Sequence, residues 1–291
     1  MELYKAVLEG NLDKVLQKDL DINTADEDGD TALHVAVSSN KPDAVRKLLD
    51  AGISVDAVNE SGETALHIAV KEKNLEIAEI LLDHGADMYI EEFVQGGEYN
   101  EGYNALHLAV LEVCSSIDKS SCMVKLLIDH GIDVNINDDN GCTALHLAVE
   151  RDMLDIASLL LDNGADTDET CYHGRETLEL AESVDMVRLL LDNDAYVSPR
   201  MILQCIENHN TDLLEVYLDY PHVNEDLDGH EYLHKAIKYE NTEALELLIH
   251  HGADVNETND SGRTPLQYAV KMGNKSAAHI LADEGCKGES D

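Results

Sequence analysis

The segment ETALHIAVKEKNLEIAEILLDHGADM, residues 63–88, holds two phrases that recur along the chain. The first returns as DTALHVAV (30–37), NALHLAV (104–110), CTALHLAV (142–149) and RTPLQYAV (263–270). The second returns as LLDAGISVD (48–56), LLIDHGIDVN (126–135), LLLDNGADTD (159–168) and LLIHHGADVN (247–256). A glycine precedes the first phrase, and the steps Gly29 to Gly62, Gly141 to Gly174 and Gly229 to Gly262 are each 33 residues. Self-similarity at such a period marks a stack of small supersecondary units.

Each unit reads as two helices and a turn. Thr31, Thr64 and Thr143 stand where a hydroxyl caps a helix start. Leu33, Ala36 and Val37 then fall at i, i+3 and i+4, one apolar stripe. The second helix, with Leu75, Ile77, Ala78, Ile80, Leu81 and Leu82, is apolar on too many sides to face water, so neighbouring units must enclose it. Gly52, Gly85, Gly131, Gly164 and Gly252 end these helices in the left-handed conformation expected of such a terminus.

The 33-residue period and the T-x-L-H-x-A phrase resemble the ankyrin repeat over almost the whole chain. The resemblance implies an all-α solenoid of stacked helix-turn-helix units with β-hairpin fingers. Residues 1–24 are expected as an N-terminal capping helix pair and 25–286 as about eight repeats, irregular near 88–122 and 170–200. Residues 287–291 are expected as a polar tail. It also implies that His34, His67, His107, His146 and His234, at one repeat position, bond neighbouring units to each other. His84, His130 and His250–His251 sit at second-helix ends, where a cation suits the dipole.

Three breaks interrupt the repeat. Gly62 to Gly102 is 40 residues, with an insertion at MYIEEFVQGGEYN (88–100) that carries the single Phe, Phe93, with Tyr89, Tyr99 and nearby Tyr103. These read either as exposed aromatic contacts for a partner or as a loop folded on its own repeat. Gly102 to Gly141 is 39 residues, and the extra stretch EVCSSIDKSSC (112–122) reads as a lengthened first helix or a polar turn. The unit at 170–197 is short, and Ser198-Pro199 follows it without a finger, so a gap or a change of pitch is expected near 195–200.

The chain has 60 Asp and Glu against 20 Lys and Arg, a net charge of −40. Such a balance excludes a broad grip on nucleic acid phosphates and argues against an anionic membrane surface. No apolar run reaches the length of a membrane span, and the start MELYKAVLEGNLDKV lacks an apolar signal core. The six cysteines form no CxxC pair and read as reduced thiols of a cytosolic or nuclear protein.

Catalytic chemistry finds no support. HEYLH (230–234) matches the zincin letters, but His230 precedes the helix that the repeat register places at Tyr232-Leu233-His234. DEDGD (26–30) resembles the opening of a calcium loop, yet Thr31 and Val37 stand where Gly and Glu are required. The reading is therefore no catalytic residue, no metal, no cofactor and no enzyme.

In ankyrin proteins partners meet the finger tips and the inner face of the first helix. At those registers stand Glu27, Asp28, Asp30, Glu60, Glu63, Glu101, Asp139, Glu150 and Tyr172, which with Phe93, Tyr99 and Tyr103 form the expected partner-binding set. Repeats stack about 10 Å apart, close to the Debye length of about 8 Å at physiological salt, so neighbouring finger carboxylates reinforce one another. The sequence thus points to a non-enzymatic, monomeric scaffold that takes a basic surface of a partner protein. The alternative is an inhibitor or nucleic-acid mimic occupying a DNA- or RNA-binding protein, such as a symbiont, pathogen or viral effector in a host cytosol.

Overall fold

A computed structural model describes residues 2–18, 20–93, 102–112, 117–171, 174–220, 223 and 231–288. The described residues form two compact units, Met1–Ala181 and Glu182–Asp291.

The first unit opens with the short pair α1 (Glu2–Glu9) and α2 (Leu12–Val15). Four helix pairs follow: α3 (Ala32–Ser38) with α4 (Pro42–Asp50), α5 (Ala65–Lys71) with α6 (Leu75–Asp83), α7 (Ala105–Leu111) with α8 (Ile117–Asp129), and α9 (Ala144–Glu150) with α10 (Leu154–Asp162). Strands β1 (Glu92–Phe93) and β2 (Gly102–Tyr103) pair antiparallel, as do β3 (Thr170–Cys171) and β4 (Arg175–Glu176). A single 3₁₀ turn, Thr177–Leu180, closes the unit.

The second unit contains α11 (Val184–Leu191), α12 (Pro199–Glu207), α13 (Thr211–Leu218), α14 (Tyr232–Lys238), α15 (Thr242–His250), α16 (Pro265–Met272) and α17 (Lys275–Gly288). The boundary between units lies inside the shortened repeat, between its 3₁₀ turn and α11. The deletion explains this. With three residues lost, the first helix shrinks to one turn and Ser183 at once caps α11, accepting from the Met186 N–H at 3.2 Å.

The first-helix starts are held by a reciprocal cap. Thr64 Oγ1 accepts from the His67 N–H (3.3 Å) while His67 Nδ1 accepts from the Thr64 N–H (3.0 Å). Thr143 and His146 repeat the arrangement at 3.5 and 3.0 Å. Because Nδ1 accepts, the ring proton sits on Nε2, which donates to a carbonyl of the next repeat. The series is His34 to Glu63 O (3.0 Å), His67 to Ile90 O (2.9 Å) and His146 to Glu169 O (3.0 Å). His107 and His234 reach Cys142 O (3.0 Å) and Arg263 O (2.9 Å) in the same way. The recurrent histidine thus does bond neighbouring units. His84 and His130 cap their own helix ends, Nδ1 donating to Ile80 O (2.7 Å) and Leu126 O (2.9 Å).

A further set of caps escaped the sequence reading. Asn74, Asn210, Asn241 and Asn274 precede the second helices, and each side-chain oxygen accepts from the N–H three residues on, at 3.0 to 3.2 Å. Asn241 and Asn274 also donate to the carbonyls of Ile206 (3.0 Å) and Ile237 (3.2 Å) in the preceding repeat. One carboxamide therefore starts a helix and ties two repeats.

Part of the extra stretch near 112–122 lengthens the second helix of its repeat, while residues 113–116 lie outside the described residues. α7 ends at Leu111 like its equivalents, while α8 has 13 residues where α6 and α10 have nine. The last helix runs through Gly288, two residues into the segment expected as a polar tail.

Candidate functional site

Three finger turns of the first unit are each built on one side-chain oxygen. Asp26 Oδ1 accepts from the N–H groups of Asp28 and Asp30, both at 3.0 Å. Asn59 does the same for Ser61 and Glu63, and Asp138 for Asn140 and Cys142. Successive fingers touch backbone to backbone. The Glu60 N–H donates to Asp28 O at 3.0 Å, and a Cβ on Gly29 (φ 77°) would stand 2.7 Å from Glu60 N. Glycine is required there by both conformation and space.

These turns sort the expected site residues into three groups. Glu27, Asp28, Glu60, Asp139 and Glu150 are exposed. Among the described residues none of the five has an ion-pair partner. Asp30 and Glu63 are only half exposed and are used internally. Asp30 Oδ1 accepts from Asn59 Nδ2 (2.9 Å), and Glu63 pairs with Lys71 at 2.7 Å. Tyr103 needs correction as an exposed contact. Pairing of β1 with β2, Glu92 opposite Tyr103, turns its ring into the core, 7% exposed, with its centroid 6.2 Å from that of His107. Tyr99, Glu101 and Tyr172 lie outside the described residues, as does His230, and of Phe93 only the backbone, in β1, is described.

Lys71 is the one cation in these contacts that turns to the fingers. From the end of α5 it reaches Glu63 of its own finger and Glu92 of the next, the latter at 2.5 Å. Glu92 is buried, and that burial outweighs the lysine and holds its carboxyl above the usual range. Glu63 is shifted the opposite way. Its desolvation is overcome by hydrogen bonds from Lys71 and Asn59. The clamp fixes the base of the inserted hairpin.

Beside the clamp the carboxylates crowd. A Cβ on Gly102 would lie 2.7 Å from Glu91 Oε2 and 3.0 Å from Asp139 Oδ2, so both acids converge on that bare backbone. Burial, then the charges of Asp139 and Asp138, push the Glu91 carboxyl up. On the helix side of the unit some acids are paired, while Glu79, Asp155 and Asp162 also hold no cation among the described residues. Lys47 pairs with Asp13 (2.7 Å), Arg46 with Glu76 (3.2 Å), Lys5 with Glu9 (3.6 Å) and Lys18 with Glu2. The finger edge therefore presents uncompensated negative charge on a hydrogen-bonded backbone.

Among the described residues no group of His, Cys, Asp and Glu has the arrangement of a metal site. Burial drives the His67 and His107 imidazoles down to about 4, so both rings stay neutral near pH 7. Their nitrogens serve the seam between repeats. No helix among the described residues is long and apolar enough to cross a membrane.

Comparison with known proteins agrees with this architecture. A putative ankyrin repeat protein of Acanthamoeba polyphaga mimivirus is 30% identical over 151 residues, 52% of this chain and 16% of that protein. The chain thus spans about a sixth of that relative's length. A shorter putative ankyrin repeat protein of fowlpox virus is 30% identical over 167 residues, 55% of this chain and 96% of its own length. The crystal structure of the ankyrin repeat protein EF0377 superposes with a TM-score of 0.55 at 26% identity, covering 65% of this chain and 96% of that one. The family described as ankyrin repeats (3 copies) matches residues 3–92, 111–201 and 202–290, and the chain belongs to this family, whose members are generally non-enzymatic mediators of protein–protein interaction.

Proposed function

We propose that the finger edge of the first unit binds a basic segment of a partner protein in the cytosol or nucleus. The observation that carries this reading is the row of exposed acids on the finger turns. Glu27, Asp28, Glu60, Asp139 and Glu150 at the fingers and inner helix end are exposed and hold no cation among the described residues, and hydrogen-bonded turns hold the first four in a row along the fingers. Hydrogen-bonded turns carry four of them and the end of α9 carries Glu150, so little backbone entropy is lost when lysines or arginines arrive. Such a field speeds the encounter and selects the sign of the partner.

The test replaces Glu27, Asp28, Glu60, Asp139 and Glu150 together by Lys. Asp30 and Glu63 are left alone because they brace the turns. The variant is expected to keep its helical signal and melting temperature and to lose the partner. Retained affinity overturns the reading. The viral relatives favour, as a second reading, an effector that occupies such a basic protein inside a host cell.

A further inference from the structure

The clamp lysine of the first unit recurs in the second without its carboxylates. Lys71 closes α5, where it reaches Glu63 of its own finger and Glu92 of the next. Aligned on the repeat phrase, Lys238 stands in α14 where Lys71 stands in α5. The positions that should hold its acids have changed. In the next finger Asn259 follows Gly252 by seven residues, as Glu92 follows Gly85. Its side-chain oxygen is spent on its own turn, accepting from the N–H groups of Ser261 (3.0 Å) and Arg263 (3.1 Å). Arg263 stands two residues before α16, as Glu63 stands two before α5. The register that holds an ion pair in the first unit thus holds a lysine and an arginine in the second.

The fold brings these cations to one place. α14 packs against α16, and His234 Nε2 donates to Arg263 O at 2.9 Å, which fixes Arg263 beside α14. Across a finger the two acid positions touch, since Asn59 Nδ2 donates to Glu63 Oε2 at 3.3 Å. Arg263 therefore flanks the spot that a lysine at this register reaches. Lys235, one turn earlier in α14, adds a third cation, and Lys238 Nζ rests over the Tyr239 ring, 5.2 Å from its centroid. Nearby acids do not fill the gap. Glu231 accepts from the Asp260 N–H at 2.8 Å, Glu207 accepts from the Tyr239 hydroxyl, and Glu240 and Asp260 are exposed. None pairs with Lys235, Lys238 or Arg263 among the described residues. Lys14, Lys41 and Lys73 also lack an ion pair there, so the mark of this place is the arginine in a clamp acid's position.

We propose that Lys235, Lys238 and Arg263 receive carboxylates from outside the chain, so that the inner face of the second unit binds a short acidic segment of a partner protein. Its acids take the places that Glu63 and Glu92 fill in the first unit. Arg263 can hold a carboxylate by two parallel hydrogen bonds, and the lysines by point charge. Asp260, Glu231 and Glu240 border the cations and repel a long polyanion, which favours a few carboxylates over a run of phosphates. The finger edge of the first unit plays no part, so this proposal and the binding of a basic segment stand or fall separately.

Fluorescence anisotropy of a dye-labelled tetraglutamate peptide, titrated with the 291-residue chain at about 0.05 M salt, tests it. Wild type is expected to bind. The triple variant Lys235→Gln, Lys238→Gln, Arg263→Gln is expected to bind about tenfold more weakly or worse. The triple variant Lys14→Gln, Lys41→Gln, Lys73→Gln removes the same charge elsewhere and is expected to stay within about threefold of wild type. Lys235 and Arg263 are half-buried, so Lys238→Gln, at an exposed side chain, guards against misfolding. It is expected to keep the melting temperature and lose about threefold in affinity. A tetralysine peptide, the probe for the finger edge, is expected to bind every variant alike. Wild type that ignores tetraglutamate overturns the proposal, as does equal weakening in the two triple variants. Tighter binding of a four-nucleotide single strand than of tetraglutamate also overturns it, by pointing to phosphates.

Discussion

Along the seam where consecutive repeats meet, polar groups are buried and spoken for. The histidine rings bridge a helix cap to the next repeat, and Lys71 joins Glu63 to the buried Glu92. At the finger tips the same residue types are exposed and hold no cation, as at Glu27, Asp28 and Glu60. Glu60 and Glu63 share one turn, yet one faces water and the other faces a lysine. The difference teaches that net charge alone does not mark a binding residue. A carboxylate is free for a partner only where the fold has not already used it.

The seam is expected to fail first in acid. His67 and His107 have folded pKa values of about 4 against an ordinary 6.5, so the unfolded chain binds protons that the folded chain refuses. Their contribution to stability is complete above pH 6.5 and is lost as the pH falls toward 4, by about 3 kcal/mol for each at the lower limit. Glu91 and Glu92, held above the carboxylate range, oppose this, because protonating them relieves the folded state. Melting temperature followed against pH for wild type and His67→Gln checks the sign. Gln267 already fills this register, accepting from the Thr264 N–H at 3.2 Å, so the variant keeps a cap and its curve is expected to be flatter.

Breaking the clamp ranks next. Lys71→Met leaves Glu92 buried beside Glu63 without a cation and is expected to cost about 3 kcal/mol by denaturant unfolding. Adding Glu92→Leu is expected to restore most of that loss, since no buried charge is then left unpaired. A single variant as stable as wild type would show that the clamp is ornamental.

Gly29→Ala probes the contact between fingers. A methyl group 2.7 Å from Glu60 N, at a φ of 77°, is expected to cost about 2 kcal/mol. Urea melts of the variant read this directly. At the tips themselves Glu60→Lys is expected to change stability by less than about 0.5 kcal/mol. An equal loss in Glu60→Lys and Gly29→Ala would erase the distinction between seam and tip.

How much of this was legible beforehand differs between the two regions. The T-x-L-H phrase recurs at Thr31, Thr64 and Thr143, so stacking and caps follow from the spacing, while the histidine bridges are what the ankyrin resemblance implies. The clamp was not legible, because Lys71 meets Glu92 across an insertion that shifts the register of the next finger. Tyr103 read as exposed because strand pairing, which turned it inward, leaves no periodic trace in two-residue strands. The asparagines before the second helices do recur in the sequence. Their tie to the preceding repeat depends on stacking geometry that spacing does not carry.

The central claim is that the exposed finger acids of the first unit, and not net charge as such, recognise a basic partner. The direct measurement is a pull-down from eukaryotic cytosolic and nuclear extract at about 0.15 M salt, where screening confines attraction to about 8 Å. The bait is the wild-type chain beside two variants. One carries lysines at positions 27, 28, 60, 139 and 150, and the other the same number of lysines for exposed acids on the second helices. A discrete partner held by wild type and by the helix-side variant, and lost by the finger variant, is the predicted result. Equal capture by all three, or equal loss from both variants, would contradict it.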